Sequence, residues 1–143
     1  MRIALQLGQD AIEHNDVPVG AVVVNKKGEV LGRGKNEREK SNDPLAHAEL
    51  MAIRDAAKNQ NSYRFDDLTL VVTLEPCAMC AGAISQSRFS RVVFGAFDKK
   101  AGAVGTVWDL IRDPRALVKI EVVSGVLMDE SAELVKNFFK IKR

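Results

Sequence analysis

The side chains in this sequence that could bind a metal through nitrogen or sulfur are few: two cysteines and two histidines. Cys77 and Cys80 sit in Glu75-Pro76-Cys77-Ala78-Met79-Cys80. That spacing puts both sulfurs on one face of a helix opening after Pro76, within reach of one ion. His47 stands in Ala46-His47-Ala48-Glu49, whereas His14 is far from either cysteine in sequence. Two thiolates and one imidazole make three protein ligands, and zinc prefers four in a tetrahedron, so the set suits a catalytic site that also takes a water. Unpaired N–H groups at the start of the helix after Pro76 favour thiolate over thiol at Cys77 and Cys80. A metal of this kind acidifies its water, and Glu49, a carboxylate near the ion but outside its ligand set, is suited to act as general base and then general acid.

Each motif alone has a plainer reading. A histidine near a helix start more often caps the helix or fills the core, and a single C-x-x-C suits a redox pair or two buried thiols. Geometry adds a demand. Residues two apart on a regular helix point to nearly opposite sides, so His47 and Glu49 can share a site only if the N-terminal end of their helix is aimed at it. Pro44 permits that arrangement.

The elements that must position these groups are legible in outline. Ile3, Ala4, Leu7, Ala11 and Ile12 recur at helical spacing and predict a helix over residues 2 to about 14, closing before Val17-Pro18. Val19 to Val24 and Val30-Leu31 flank Asn25-Lys26-Lys27-Gly28-Glu29 as an antiparallel hairpin. Leu45 to Lys58 reads as a helix starting close to Ala46, with Asp43 as its cap and Pro44 early in it. Leu68 to Leu74 reads as a strand that Pro76 ends, with a helix over Ala78 to Ile84. Arg91 to Phe97 and Lys119 to Val126 read as further strands, separated by a Gly/Ala stretch and a short segment around Trp108. Met128 to Ile141 reads as a last helix, with Asp129 and Glu130 at its positive end and lysines at its negative end. Alternation of this kind predicts an α/β domain, its sheet partly antiparallel and covered by helices.

Composition sets the bounds. The chain of 143 residues is one domain's worth of polypeptide, 46% hydrophobic and 28% charged, which excludes disordered and fibrous classes. No apolar run is long enough to span a bilayer, and charged Arg2, Asp10, Glu13 and Asp16 make the N-terminus unlike a signal peptide. A cytoplasmic protein is the expectation. With 21 basic and 19 acidic residues the formal charge is only +2, although Lys136, Lys140, Lys142 and Arg143 gather at the end of the chain. Such a run touches phosphate in some proteins and is the solvated end of a helix in others. Aromatic residues are 6%, so Phe89, Phe94 and Phe97 are assigned to the core, leaving Trp108 among the side chains able to stack on a base.

Together, His47-x-Glu49 and Pro76-Cys77-x-x-Cys80, each at a predicted helix start after sheet-like sequence, match the zinc deaminase signature. The sequence resembles the cytidine deaminase superfamily and, within it, the bacterial tRNA adenosine deaminase family. The matching stretches are Val17-Pro18-Val19-Gly20-Ala21-Val22, Gly32-x-Gly34-x-Asn36, Asp43-Pro44-x-Ala46-His47-Ala48-Glu49, Thr73-Leu74-Glu75-Pro76-Cys77-x-Met79-Cys80-Ala81-Gly82-Ala83, Arg91-Val92-Val93-Phe94-Gly95-Ala96 and Phe138-Phe139. The resemblance implies a three-layer α/β/α cytidine-deaminase-like fold with a mixed, roughly five-stranded sheet, formed by residues 1–143 as one zinc-dependent deaminase domain.

It also implies hydrolytic deamination of adenosine to inosine at the wobble position of a tRNA, typically an arginine tRNA, by a homodimer. By the same likeness one Zn²⁺ per subunit is held by His47, Cys77 and Cys80, and Glu49 is the proton shuttle. Asn36 and Ala46 fall at the target nucleoside, Asp98 and Lys100 at anticodon-loop nucleotides, and Phe139 and Arg143 on a last helix that approaches the tRNA anticodon stem-loop. Asn42 stands where the family usually has His. The chain is also shorter than relatives with a basic tail, so weaker nonspecific RNA affinity is expected. Two further readings stay open: a zinc hydrolase acting on a free base or nucleotide, and a noncatalytic zinc-stabilised or redox module.

Overall fold

The computed structural model describes residues 1–142; Arg143 lies outside the described residues. Helix α1 spans Arg2–Ala11 and tightens into a 3-10 turn over Ile12–His14. Strands β1 (Gly20–Val24) and β2 (Val30–Lys35) form the expected hairpin, with Val22 opposite Arg33. A short helix α2 (Arg38–Ser41) follows, one turn that periodicity does not signal. Then come α3 (Ala48–Gln60), β3 (Thr69–Leu74), α4 (Ala78–Gln86), β4 (Arg91–Ala96), β5 (Glu121–Val123) and α5 (Met128–Lys142). Strand β5 is shorter than the predicted Lys119–Val126, because Gly125 takes a left-handed φ of 79° and turns the chain toward α5.

The strands make one sheet in the order β2-β1-β3-β4-β5. β1 is antiparallel to β2 and β3, while β3, β4 and β5 run parallel. Alternate residues face opposite sides, so Ala21, Val23, Leu70, Val72, Val92 and Phe94 form one buried surface with Ala48, Ala52, Ala56, Ala81, Ile84 and Phe89 of the covering helices and the turn after α4. Helices α1 and α5 pack on the other face, which completes a three-layer α/β/α sandwich. Phe65 and Phe89 pack at 5.1 Å between ring centroids in this core. Phe97 is a correction to the expected core: it follows the last residue of β4, meets Phe94 edge-on at 5.2 Å, and is 46% exposed.

Two glycines decide how closely α3 approaches the sheet. A Cβ on Gly34 would lie 2.3 Å from Ala48 O and Ala52 N, and one on Gly32 would lie 2.6 Å from Ala52 O and Ala56 N. The Gly-x-Gly of β2 therefore meets the alanine stripe of α3 backbone to backbone, which holds the first turn of α3 against the end of the sheet. Because β1 and β3 are antiparallel, the C-terminal ends of β2, β3 and β4 collect at one edge. Open α/β sheets bind ligands outside the carboxyl ends of their parallel strands.

A three-donor metal site at two helix starts

His47 is the N-cap of α3, with φ −75° and ψ 150°, so it lies outside the helix in extended backbone. Its side chain leaves the chain in a direction no helical residue could take. Glu49 follows in the first helical turn and is 4% exposed. The helix thus begins two residues later than the predicted start near Ala46. Pro44-Leu45 instead form a separate turn closed by Asp43, whose Oδ1 accepts from Leu45 N at 2.9 Å and whose carbonyl accepts from Ala46 N at 3.2 Å.

The cap that Asp43 does not supply to α3 comes from Asn36. Its Oδ1 accepts the Ala48 N–H at 2.9 Å, and its Nδ2 donates to the Val17 carbonyl at 3.0 Å. Asn36 is therefore bound into the scaffold, a duty that no local pattern signals across twelve residues. Ala46 is 1% exposed, and its carbonyl accepts from Glu37 N at 3.0 Å. Asn42 closes α2 in the left-handed conformation with φ 51°, which asparagine tolerates well.

Cys77 is the extended N-cap residue of α4, and Cys80 sits in that helix's first turn. The two sulfurs thus converge from the helix end rather than from one helical face. His47, Cys77 and Cys80 place ligand atoms within 4.8 Å of one another. His47 Nδ1 lies 3.6 Å from Cys77 Sγ and 3.5 Å from Cys80 Sγ. Around a tetrahedral zinc with Zn–S about 2.3 Å and Zn–N about 2.0 Å, sulfur and nitrogen ligands stand about 3.5 Å apart. A single ring nitrogen cannot serve two thiols as a linear hydrogen-bond partner, yet both sulfurs converge on it, so the donor set fits the ion.

The protons of this cluster are unequally held. Cys77 is lowered to about 3, chiefly by the hydrogen bond from Cys80 and also by that from His47. Cys80, more deeply placed, is pushed up by its bond to Cys77 and by burial. His47 is raised by its hydrogen bond with Cys77. Burial pushes Glu49 up to about 7. Holding a metal requires the donors to give up their protons.

The remaining sequence-predicted residues fall in two places. Phe139 is 46% exposed on α5 and lines, with Asn36, Asn42, Pro44, Phe138 and Lys142, a cavity of about 310 Å³. Residues a hundred positions apart thus share one recess. Lys142 also lies 4.9 Å above the Phe138 ring. Asp98 and Lys100 are not on that recess; they open the loop after β4, where Asp98 Oδ1 accepts from Lys100 N at 3.0 Å and Ala101 N at 3.2 Å. Sequence reasoning passed over Glu75, buried between β3 and Cys77; a carboxylate directly after an apolar strand was the available signal.

A site of this design on an open mixed sheet defines a zinc-dependent deaminase, and the chain belongs to that family: residues 1–96 match the cytidine and deoxycytidylate deaminase zinc-binding region. Whole-chain comparisons narrow the class. The sequence is 46% identical to a tRNA-specific adenosine deaminase of Haemophilus influenzae over 100% of this chain and 83% of that protein. It is 44% identical to one of Bacillus subtilis over 98% of this chain and 86% of that protein. A solved structure from a study of A-to-I editing by tRNA:A34 deaminases superposes with a TM-score of 0.89 at 41% identity, covering 94% of this chain and 96% of that one. Within the deaminases, the chain is a member of the tRNA-specific adenosine deaminase family.

Proposed function

We propose that this protein converts adenosine to inosine by hydrolysis at the wobble position of a tRNA anticodon, with an arginine tRNA as substrate. The observation that carries the reading is the convergence of one imidazole and two sulfurs beside the buried carboxylate of Glu49.

His47 Nδ1, Cys77 Sγ and Cys80 Sγ would hold the metal, one ion per subunit. When bound, zinc lowers the pKa of a water so that a nucleophile is available near neutral pH. Glu49 does the proton work: its carboxylate takes a proton from the attacking water and passes it to the adenine ring nitrogen, then takes the second proton from the new C6 hydroxyl and delivers it to the departing amine. A C6–O bond forms, the C6–N6 bond breaks, and ammonia leaves as inosine remains. The elevated proton affinity of Glu49 suits a group that must both accept and release a proton near neutral pH. Asn36 and Ala46 border the nucleoside, and Phe139 offers a face for stacking a splayed base. An unpaired anticodon loop presents such a base at modest cost.

A homodimer in the cytoplasm completes the proposal. Leu45, Phe97 and Trp108 are 49%, 46% and 52% exposed, apolar surface that a second subunit would cover. No helix among the described residues is long and apolar enough to cross a membrane.

The deciding experiment incubates the purified zinc protein with arginine tRNA transcripts, free adenosine, cytidine and guanine. Inosine confined to the first anticodon position is the expected product. Turnover of the small molecules alone would overturn the reading.

A further inference from the structure

One buried ionisable group takes no part in the chemistry above. Glu75 is 2% exposed and lies in the link between β3 and Cys77. Its carboxylate is filled entirely from one segment. Oε1 accepts from Asp98 N at 3.1 Å and from the Thr106 hydroxyl; Oε2 accepts from Val104 N at 3.0 Å and Thr106 N at 3.1 Å. The loop is shaped to this carboxylate, since a Cβ on Gly102 would lie 2.4 Å from Glu75 Cδ and 2.6 Å from the Asp98 carbonyl. A backbone bond fastens the same loop to the metal-ligand segment, with Ala103 N donating to Pro76 O at 2.8 Å, and Glu75 N ties that segment to the end of β4 by donating to Ala96 O at 2.8 Å.

We propose that Glu75 is a positioning residue that sets the 98–106 loop against the metal-bearing end of α4 and so fixes where Asp98 and Lys100 are presented to the substrate RNA. Four donors meeting one carboxylate define the loop's shape more tightly than side-chain packing could, because charge-assisted hydrogen bonds are directional. Lys100 is exposed at the opening of the loop and depends on this anchor for its location. The inference rests on the tRNA reading for its substrate, but the loop anchoring itself is measurable without any substrate.

Glu75→Gln tests it. An amide nitrogen cannot accept, so in either orientation it faces at least one backbone N–H donor and releases that anchor. With zinc content equal to that of the original protein, hydrogen exchange of the 98–106 amides should rise at least tenfold while that of 48–60 stays unchanged. KM for an anticodon stem-loop should rise at least tenfold with kcat held within threefold. Unchanged exchange in the loop, or a fall in kcat with KM unmoved, overturns the proposal. Thr106→Val serves where the first variant fails to fold: it removes one donor and keeps side-chain shape, and about a threefold rise in KM with faster loop exchange is expected. If the unsubstituted protein deaminates no tRNA, the proposed function fails and the exchange experiment still decides the role of Glu75.

Discussion

Only two residues separate His47 from Glu49 along the chain, and inside a regular helix they would diverge. The conflict disappears because His47 is an extended N-cap residue while Glu49 is already helical. Cys77 and Cys80 repeat the arrangement at α4. In the proposed mechanism the two pairs divide the labour differently: three side chains would hold the ion, and the fourth would handle protons. Replacing Glu49 with Ala should therefore leave zinc content and the melting temperature within a few degrees of the original while lowering tRNA deamination at least ~10³-fold, within the range general acid–base groups contribute. Cys77→Ser should do the reverse to the metal, giving substoichiometric zinc by metal analysis and a clearly lower melting temperature, because metal binding is coupled to folding. Full activity in the Glu49 variant would remove the proton-shuttle assignment.

At the scale of elements, the helices that frame the site take their caps from distant residues. Asn36 caps α3, and Asp16, 2% exposed, accepts from Glu39 N at 2.8 Å and Lys40 N at 3.3 Å at the start of α2. Sequence patterns placed a cap at Asp43 because it precedes the periodic run; the chain spends Asp43 on a tight turn instead. Strand β2 then fixes the depth of α3 through Gly32 and Gly34. We expect Gly34→Ala to destabilise the protein by roughly 1–3 kcal/mol in urea unfolding, the usual cost of overpacking, since its methyl group meets helix backbone that cannot rotate away. The same variant should bind zinc more weakly, because His47 moves with the start of α3. Equal stability and zinc affinity would show that the helix is not held by this contact.

The whole molecule carries little net charge, +2 over 143 residues, so long-range attraction to RNA is weak and recognition must come from local groups. Its surface leaves large apolar side chains exposed, Trp108 and Phe97 among them. The proposed homodimer would cover these apolar side chains. Sedimentation equilibrium should return about twice the 15.7 kDa chain mass, and Trp108→Glu should shift the population toward monomer. A single-chain mass across micromolar concentrations would discard the dimer.

The donor identities, the β1–β2 hairpin, the last helix and the alternating α/β order were legible in the residues themselves, because hydrophobic period, Gly and Pro placement and motif spacing are short-range properties. Phe97 was misplaced for the same reason: local composition cannot tell the last residue of a strand from the first beyond it. Only the tertiary structure decided that His47 stands outside its helix, that Asn36 caps α3, and that Glu75 gathers a loop beginning more than twenty residues away. Those outcomes depend on which distant backbone groups are left unpaired once the sheet has formed, and that is settled by the folded chain's three-dimensional closure rather than by any window of sequence.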